Sequence, residues 1–66
     1  MATVYAIGYV TNAKIFLVGF IQARKNTTRE KVIDTVLTDS DFVKTLDLID
    51  QSWWYHTDRL VVSLYR

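Results

Sequence analysis

Residues 5–23, YAIGYVTNAKIFLVGFIQA, are apolar almost throughout, and a chain that carries such a stretch must cover it. A membrane-spanning helix needs about 18 or more uninterrupted apolar residues. Here the longest clean run is Ile15 to Ile21, and Thr11, Asn12 and Lys14 break the segment in its middle. No basic stretch followed by an apolar core and a small-residue cleavage site opens the chain, so a signal peptide is not expected. The expectation is a soluble protein of the cytoplasm, the host cytoplasm if the source is viral.

The apolar runs on either side of Thr11-Asn12-Ala13-Lys14 are rich in β-branched and aromatic residues, the pattern of two strands joined by a hairpin turn. Asn-Ala is a weaker turn signal than Asn-Gly. A regular hairpin about this turn pairs Tyr9 with Phe16, Ile7 with Val18 and Tyr5 with Phe20. Side chains alternate along a strand, so these six share one bulky face. Val4, Ala6, Gly8, Leu17, Gly19 and Ile21 share the other, whose small central residues invite the close approach of a helix.

The middle of the chain supplies that helix. Thr27-Thr28-Arg29-Glu30 fits a capping box, and Val32, Ile33, Val36 and Leu37 form an apolar stripe. Thr38-Asp39-Ser40-Asp41 interrupts it with a second capping pattern. Phe42, Leu46, Ile49 and Trp53 then recur at helical spacing, which indicates two short helices or one helix broken near Asp39. A last strand runs from Leu60 to Tyr65. The expected fold is α+β: a small antiparallel sheet in ββααβ order with helices packed on one face, forming a single compact domain over residues 1–66.

With helices over the small-residue face, the bulky face is left without a cover. A contiguous apolar patch of that kind marks an interaction surface, so Tyr5, Ile7, Tyr9, Phe16, Val18 and Phe20 are candidate interface residues, joined by Trp54 and Tyr55 beyond the helical stripe. Trp53 continues the stripe and belongs to the core. Stability points the same way. The chain has 66 residues and no cysteine, so no disulfide or thiolate metal site supports its fold. Below roughly 70–80 residues a single core seldom supplies more than about 3–5 kcal/mol, which favours association with a second copy or another protein.

Catalytic chemistry is thinly represented. His56 is the one histidine, and Ser52 and Asp58 are near it in sequence, but a triad also needs an oxyanion hole and a substrate pocket. Asp39, Asp41, Asp47 and Asp50 do not make a calcium loop. Counting from Asp39, the glycine and glutamate that such a loop requires are Lys44 and Asp50. No enzyme, metal or cofactor is expected.

The most site-like polar feature is Arg24, Lys25, Arg29 and Lys31, four cations around the start of the first helix, where free amides favour anions. Binding of nucleic acid or a phosphorylated nucleotide there is the alternative function. The formal net charge of +1 gives it no further support. In general style, a short chain without cysteine, proline or catalytic apparatus is similar to small accessory proteins of phages and mobile elements. That resemblance implies a stoichiometric inhibitor or adaptor that binds a host protein. The leading expectation is a non-enzymatic protein-binding module and homo-oligomer.

Overall fold

The computed structural model describes residues 2–65. Five regular elements follow one another as expected: β1 (Ala2–Thr11), β2 (Lys14–Arg24), α1 (Arg29–Thr38), α2 (Ser40–Ile49) and β3 (Leu60–Leu64). The strands form one antiparallel sheet in the order β2-β1-β3, and both helices pack on one of its faces. Among the described residues, no helix is long and apolar enough to cross a membrane.

The hairpin closes at Asn12 and Ala13, both with positive φ, 51° and 61°. Two left-handed residues in succession give the turn whose twist matches that of the flanking strands. From that turn the ladder pairs Tyr9 with Phe16 and Gly8 with Leu17, as the sequence suggests. It then skips a residue, and Ile7 pairs with Gly19, Tyr5 with Ile21 and Thr3 with Ala23. Val18 is the extra residue of a β-bulge.

This insertion rearranges the two faces. Beyond the bulge the odd-numbered residues of β2 join the odd-numbered residues of β1, so Gly19, Ile21 and Ala23 lie on the side of Tyr5, Ile7 and Tyr9. The helices cover that side. Tyr5, Ile7 and Tyr9 form one core cluster with Val32 and Val36 of α1, Phe42 and Leu46 of α2, Trp53 and Leu60. The expectation that helices cover the small-residue face of β1 is therefore corrected: Ile7 and Tyr9 are fully buried, because the bulky side of the central strand offers more apolar area to remove from water. The close approach expected at Gly19 does occur. A Cβ at that position would stand 2.9 Å from Cε1 of Phe42. Gly8 instead lies on the other face, beneath Ile15.

Helix boundaries follow their caps. Thr28 caps α1, its hydroxyl accepting from the Lys31 amide, one residue later than a box from Thr27 to Glu30 would have it. The Thr27 hydroxyl donates to the Arg24 carbonyl. Asp39 ends α1 and caps α2, accepting from the amides of Asp41 and Phe42, which explains the interruption in the apolar stripe. Two polar links fasten the helices to the sheet. The Arg29 guanidinium donates to the Leu60 carbonyl at 2.7 Å, and the Tyr9 hydroxyl donates to Asp50 at 2.9 Å.

Candidate interaction surface

The face of the sheet turned away from the helices consists of the even-numbered residues of β1 together with their neighbours on both sides. Val4, Ala6, Gly8 and Val10 run down its centre. Ile15 and Leu17 flank them before the bulge, and Phe20 and Gln22 after it. On the other side stand Val61 and Ser63. No element of the described chain packs over this layer. Leu17 and Ile15 are 62% and 71% exposed, values that no internally covered strand would show.

Its shape follows from residue size. Ala6 and Gly8 are small, so the centre is low, and Ile15, Leu17 and Phe20 rise along β2 as a ridge. A shallow depression of about 240 Å³ lies between Ala6, Gly8, Ile15, Leu17, Val61 and Ser63. At one end the rings of Phe20 and Tyr65 meet edge to face, with centroids 4.8 Å apart. They come from opposite sides of β1 and reach each other because Ala6, the partner of Phe20, has little side chain to hold them apart. From Val4 to Val10 the face carries no charged residue; Arg24, opposite Ala2, lies at its far end.

Of the interface residues expected from sequence, Phe20 alone belongs to this face. Tyr5, Ile7 and Tyr9 are core residues under the helices, and Val18 packs against that core as the bulged residue. Phe16, opposite Tyr9, is on the helix side near the turn and 40% exposed. Sequence reasoning missed Ile15, Val61 and Tyr65 as members of one surface, and assigned Leu17 to the covered side. A signal was present in Gly19, since glycine inside a strand often accompanies a bulge.

Trp54 and Tyr55 follow α2 in a short 3-10 turn. They are exposed and stacked on each other, with centroids 3.8 Å apart, while Trp53 is buried in the core as expected. Arg24, Lys25, Arg29 and Lys31 are all exposed around the connection from β2 to α1. Arg29 also donates to the Leu60 carbonyl, which leaves its charge and its remaining donors in place.

Asp50 and Asp47 hold further polar bonds within the fold. One oxygen of Asp50 accepts from the Ser52 amide and hydroxyl at 3.0 and 2.9 Å, the other from Tyr9. These bonds to Ser52, followed by that from Tyr9, hold the Asp50 carboxyl below its ordinary value. Burial, reinforced by Asp50, pushes the Tyr9 phenol up. Ser52 is thus tied to Asp50 rather than aligned on His56. Asp47 accepts from the Trp53 indole, and no group of three metal-ligating side chains occurs among the described residues. Compared with protein-family models, with curated proteins and with solved structures, the chain matches none of them.

Proposed function

We propose that the protein is a small non-enzymatic protein-binding module that acts through the uncovered face of its sheet, in the manner of an adaptor or stoichiometric inhibitor. The observation that carries this is an uncharged apolar surface contributed by all three strands. An antiparallel sheet with helices on one side normally presents polar residues on the other. Here Ile15, Leu17, Phe20, Val61 and Tyr65 are exposed, with Gln22 and Ser63 the exposed polar positions among them. Exposed aromatic side chains such as Phe20 and Tyr65 are enriched at protein interfaces, and the aliphatic residues beside them extend a contiguous apolar patch. The kinship of style with phage and mobile-element accessory proteins is consistent with this role, and such a protein would block a host target by occupying it.

Leu17→Lys is the variant that tests it. The position is on an outer strand and largely exposed, so the folded monomer should change in stability by no more than about 0.5 kcal/mol. Tagged wild-type and variant chains recovered from the native cells are compared by mass spectrometry for co-purifying proteins and nucleotides. The wild type should bring down a protein in near-stoichiometric amount, either an untagged copy of this chain or another species, and the variant should lose it. Equal recovery of that protein by both chains, or recovery of nucleic acid or nucleotide alone, would contradict the proposal.

A further inference from the structure

We infer that the cavity at the end of the sheet away from the hairpin turn, beside the connection from β2 to α1, is a binding site for a small phosphate ester with a flat apolar body, of the build of a nucleoside monophosphate. It is separate from the open sheet face and does not depend on what that face binds.

The cavity follows from unequal strand lengths. β1 has ten residues and β3 five, and the last pair of their ladder is Tyr5 with Leu64. Beyond it Thr3 pairs only with Ala23 of β2, so the helix side of the sheet is stepped at this end and Leu64 is 55% exposed. Thr3, Tyr5, Lys25, Asn26, Leu64 and Tyr65 line a space of about 460 Å³. Sites for small ligands measure about 300–1,000 Å³ and are mostly apolar with a few convergent polar groups. The depression on the open face, about 240 Å³, is below that range. A larger hollow of about 650 Å³ beside α2 is lined by exposed Lys44, Asp47, Leu48 and Gln51, without a buried group.

Two observations give the cavity its chemistry. The first is Tyr5, which is 9% exposed. Among the described residues its hydroxyl has no hydrogen-bond partner, whereas that of Tyr9 on the same side of β1 donates to Asp50. No described side chain holds a polar atom that is both enclosed and unpaired. The small open part of Tyr5 therefore includes its hydroxyl and faces the cavity that Tyr5 lines. A polar group so nearly withdrawn from water favours a ligand that hydrogen-bonds it.

The second is charge. Lys25 is in the lining and no carboxylate accompanies it. From Arg24 to Lys31 the chain has four cations and one acid, Glu30. A phosphate monoester carries about −1.5 to −2 at neutral pH, so it gains more from that field than a carboxylate does. The backbone that bears Lys25 is also fixed in advance. The Thr27 amide donates to the Arg24 carbonyl at 3.1 Å, closing a turn in which Asn26 holds φ 75°, a left-handed conformation that asparagine tolerates. The phosphate then lies at Lys25 and Asn26, the flat body against Leu64, and a hydroxyl of the ester at Tyr5.

The experiment is titration of isotope-labelled protein, followed by amide chemical shifts, with adenosine monophosphate, uridine monophosphate, adenosine, inorganic phosphate and phenylacetate. Both monophosphates should saturate, with the largest shifts at Thr3, Tyr5, Lys25, Asn26 and Leu64. Adenosine and inorganic phosphate should each bind at least about tenfold more weakly, since each lacks one half of the contact. Lys25→Ala should weaken the monophosphates by about tenfold and Tyr5→Phe by about threefold. Tyr5→Phe should keep the wild-type urea midpoint, because the hydroxyl it removes has no internal bond.

Monophosphates that shift none of these residues overturn the site. So does inorganic phosphate that binds as tightly as they do with shifts spread over Arg24, Arg29 and Lys31, which would mark an ordinary charged surface. Phenylacetate binding as tightly as the monophosphates overturns the assignment to phosphate esters. A large stability loss in Tyr5→Phe would show that the hydroxyl is bonded within the fold and also counts against the site; Lys25→Ala, at an exposed position, then decides, and unchanged affinity in that variant refutes the inference.

Discussion

Gly19→Val probes the contact that fixes which side of the sheet the helices cover. Gly19 pairs with Ile7 across the hairpin and lies under the Phe42 ring, where an added Cβ would stand 2.9 Å from Cε1 and 3.2 Å from Cζ. Ordinary carbon contacts are about 3.5–4.0 Å, so the ring must withdraw by more than half an ångström for alanine and further for valine. Phe42 belongs to the core cluster with Leu46 and Trp53, and the ladder holds the strand from the other side. Overpacking of a filled core costs about 1–3 kcal/mol. Replacing glycine recovers about 0.4–1 kcal/mol through the unfolded chain. The expected loss is about 1–2 kcal/mol, or roughly 5–15 °C in Tm for a domain of this size. Urea titration at fixed protein concentration measures it, because association would otherwise shift the midpoint. In a Phe42→Leu background the same substitution should be milder, since neighbouring positions couple. A wild-type midpoint for Gly19→Val, or an equal loss with and without the Phe42 ring, would refute the close contact.

Two further outcomes follow from local geometry. Ala13 holds φ 61° in the hairpin turn, a conformation that costs a non-glycine residue about 1–2 kcal/mol, of which glycine's greater entropy offsets about 0.5–1; Ala13→Gly should therefore raise stability by about 0.5–1 kcal/mol in the same titration, and a loss would contradict the two-residue turn. Asp50 has its carboxyl below the ordinary 3.8, so its stabilising effect is complete above that pH and disappears as acid titrates the folded state: the stability gap between wild type and Asp50→Asn should be constant above about pH 5 and close below 3.8, whereas a gap independent of pH would show that the carboxylate bonds to Ser52 and Tyr9 do not form. Tyr9, whose phenol is raised by burial and by Asp50, gives the opposite sign, with stability present below pH 10 and lost as alkali removes its proton.

Much of the architecture was legible in the residues. The hairpin, the two helices broken at Asp39, the terminal strand and the buried Trp53 each have a local signal, a turn pair, a capping carboxylate or an apolar period. The same holds for an apolar layer left without helices, since a sheet with helices on one side normally turns polar residues outward and these strands have few to turn. The identity of that layer was not legible, for two physical reasons. Which side of β1 the helices cover is decided by the apolar area each side can bury, not by the alternation itself. A single inserted residue at Val18 moves every later side chain of β2 to the opposite face, and a regular alternation cannot announce where it is interrupted. The bulge also reconciles two demands that a regular hairpin sets against each other. Tyr5, Ile7 and Tyr9 call for burial under the helices, and Gly19 calls for a helix close by; without the insertion they would lie on opposite faces. Tyr65 was harder still to assign, because its place depends on β3 pairing with β1 rather than with β2, a question of topology that the five residues of β3 do not encode.

The most direct test of the open face as the binding surface uses the unmodified chain: isotope-filtered nuclear Overhauser spectra of an equal mixture of labelled and unlabelled protein at millimolar concentration. Intermolecular contacts, between copies or in a second mixture with the unlabelled co-purified protein, should appear at the methyl groups of Ala6, Ile15, Leu17 and Val61 and at the ring of Phe20, and not at Val32 or Val36 under the helices. Contacts confined to α1, α2 or the outer edge of β2, or none between copies together with none to the protein recovered by co-purification, would contradict it.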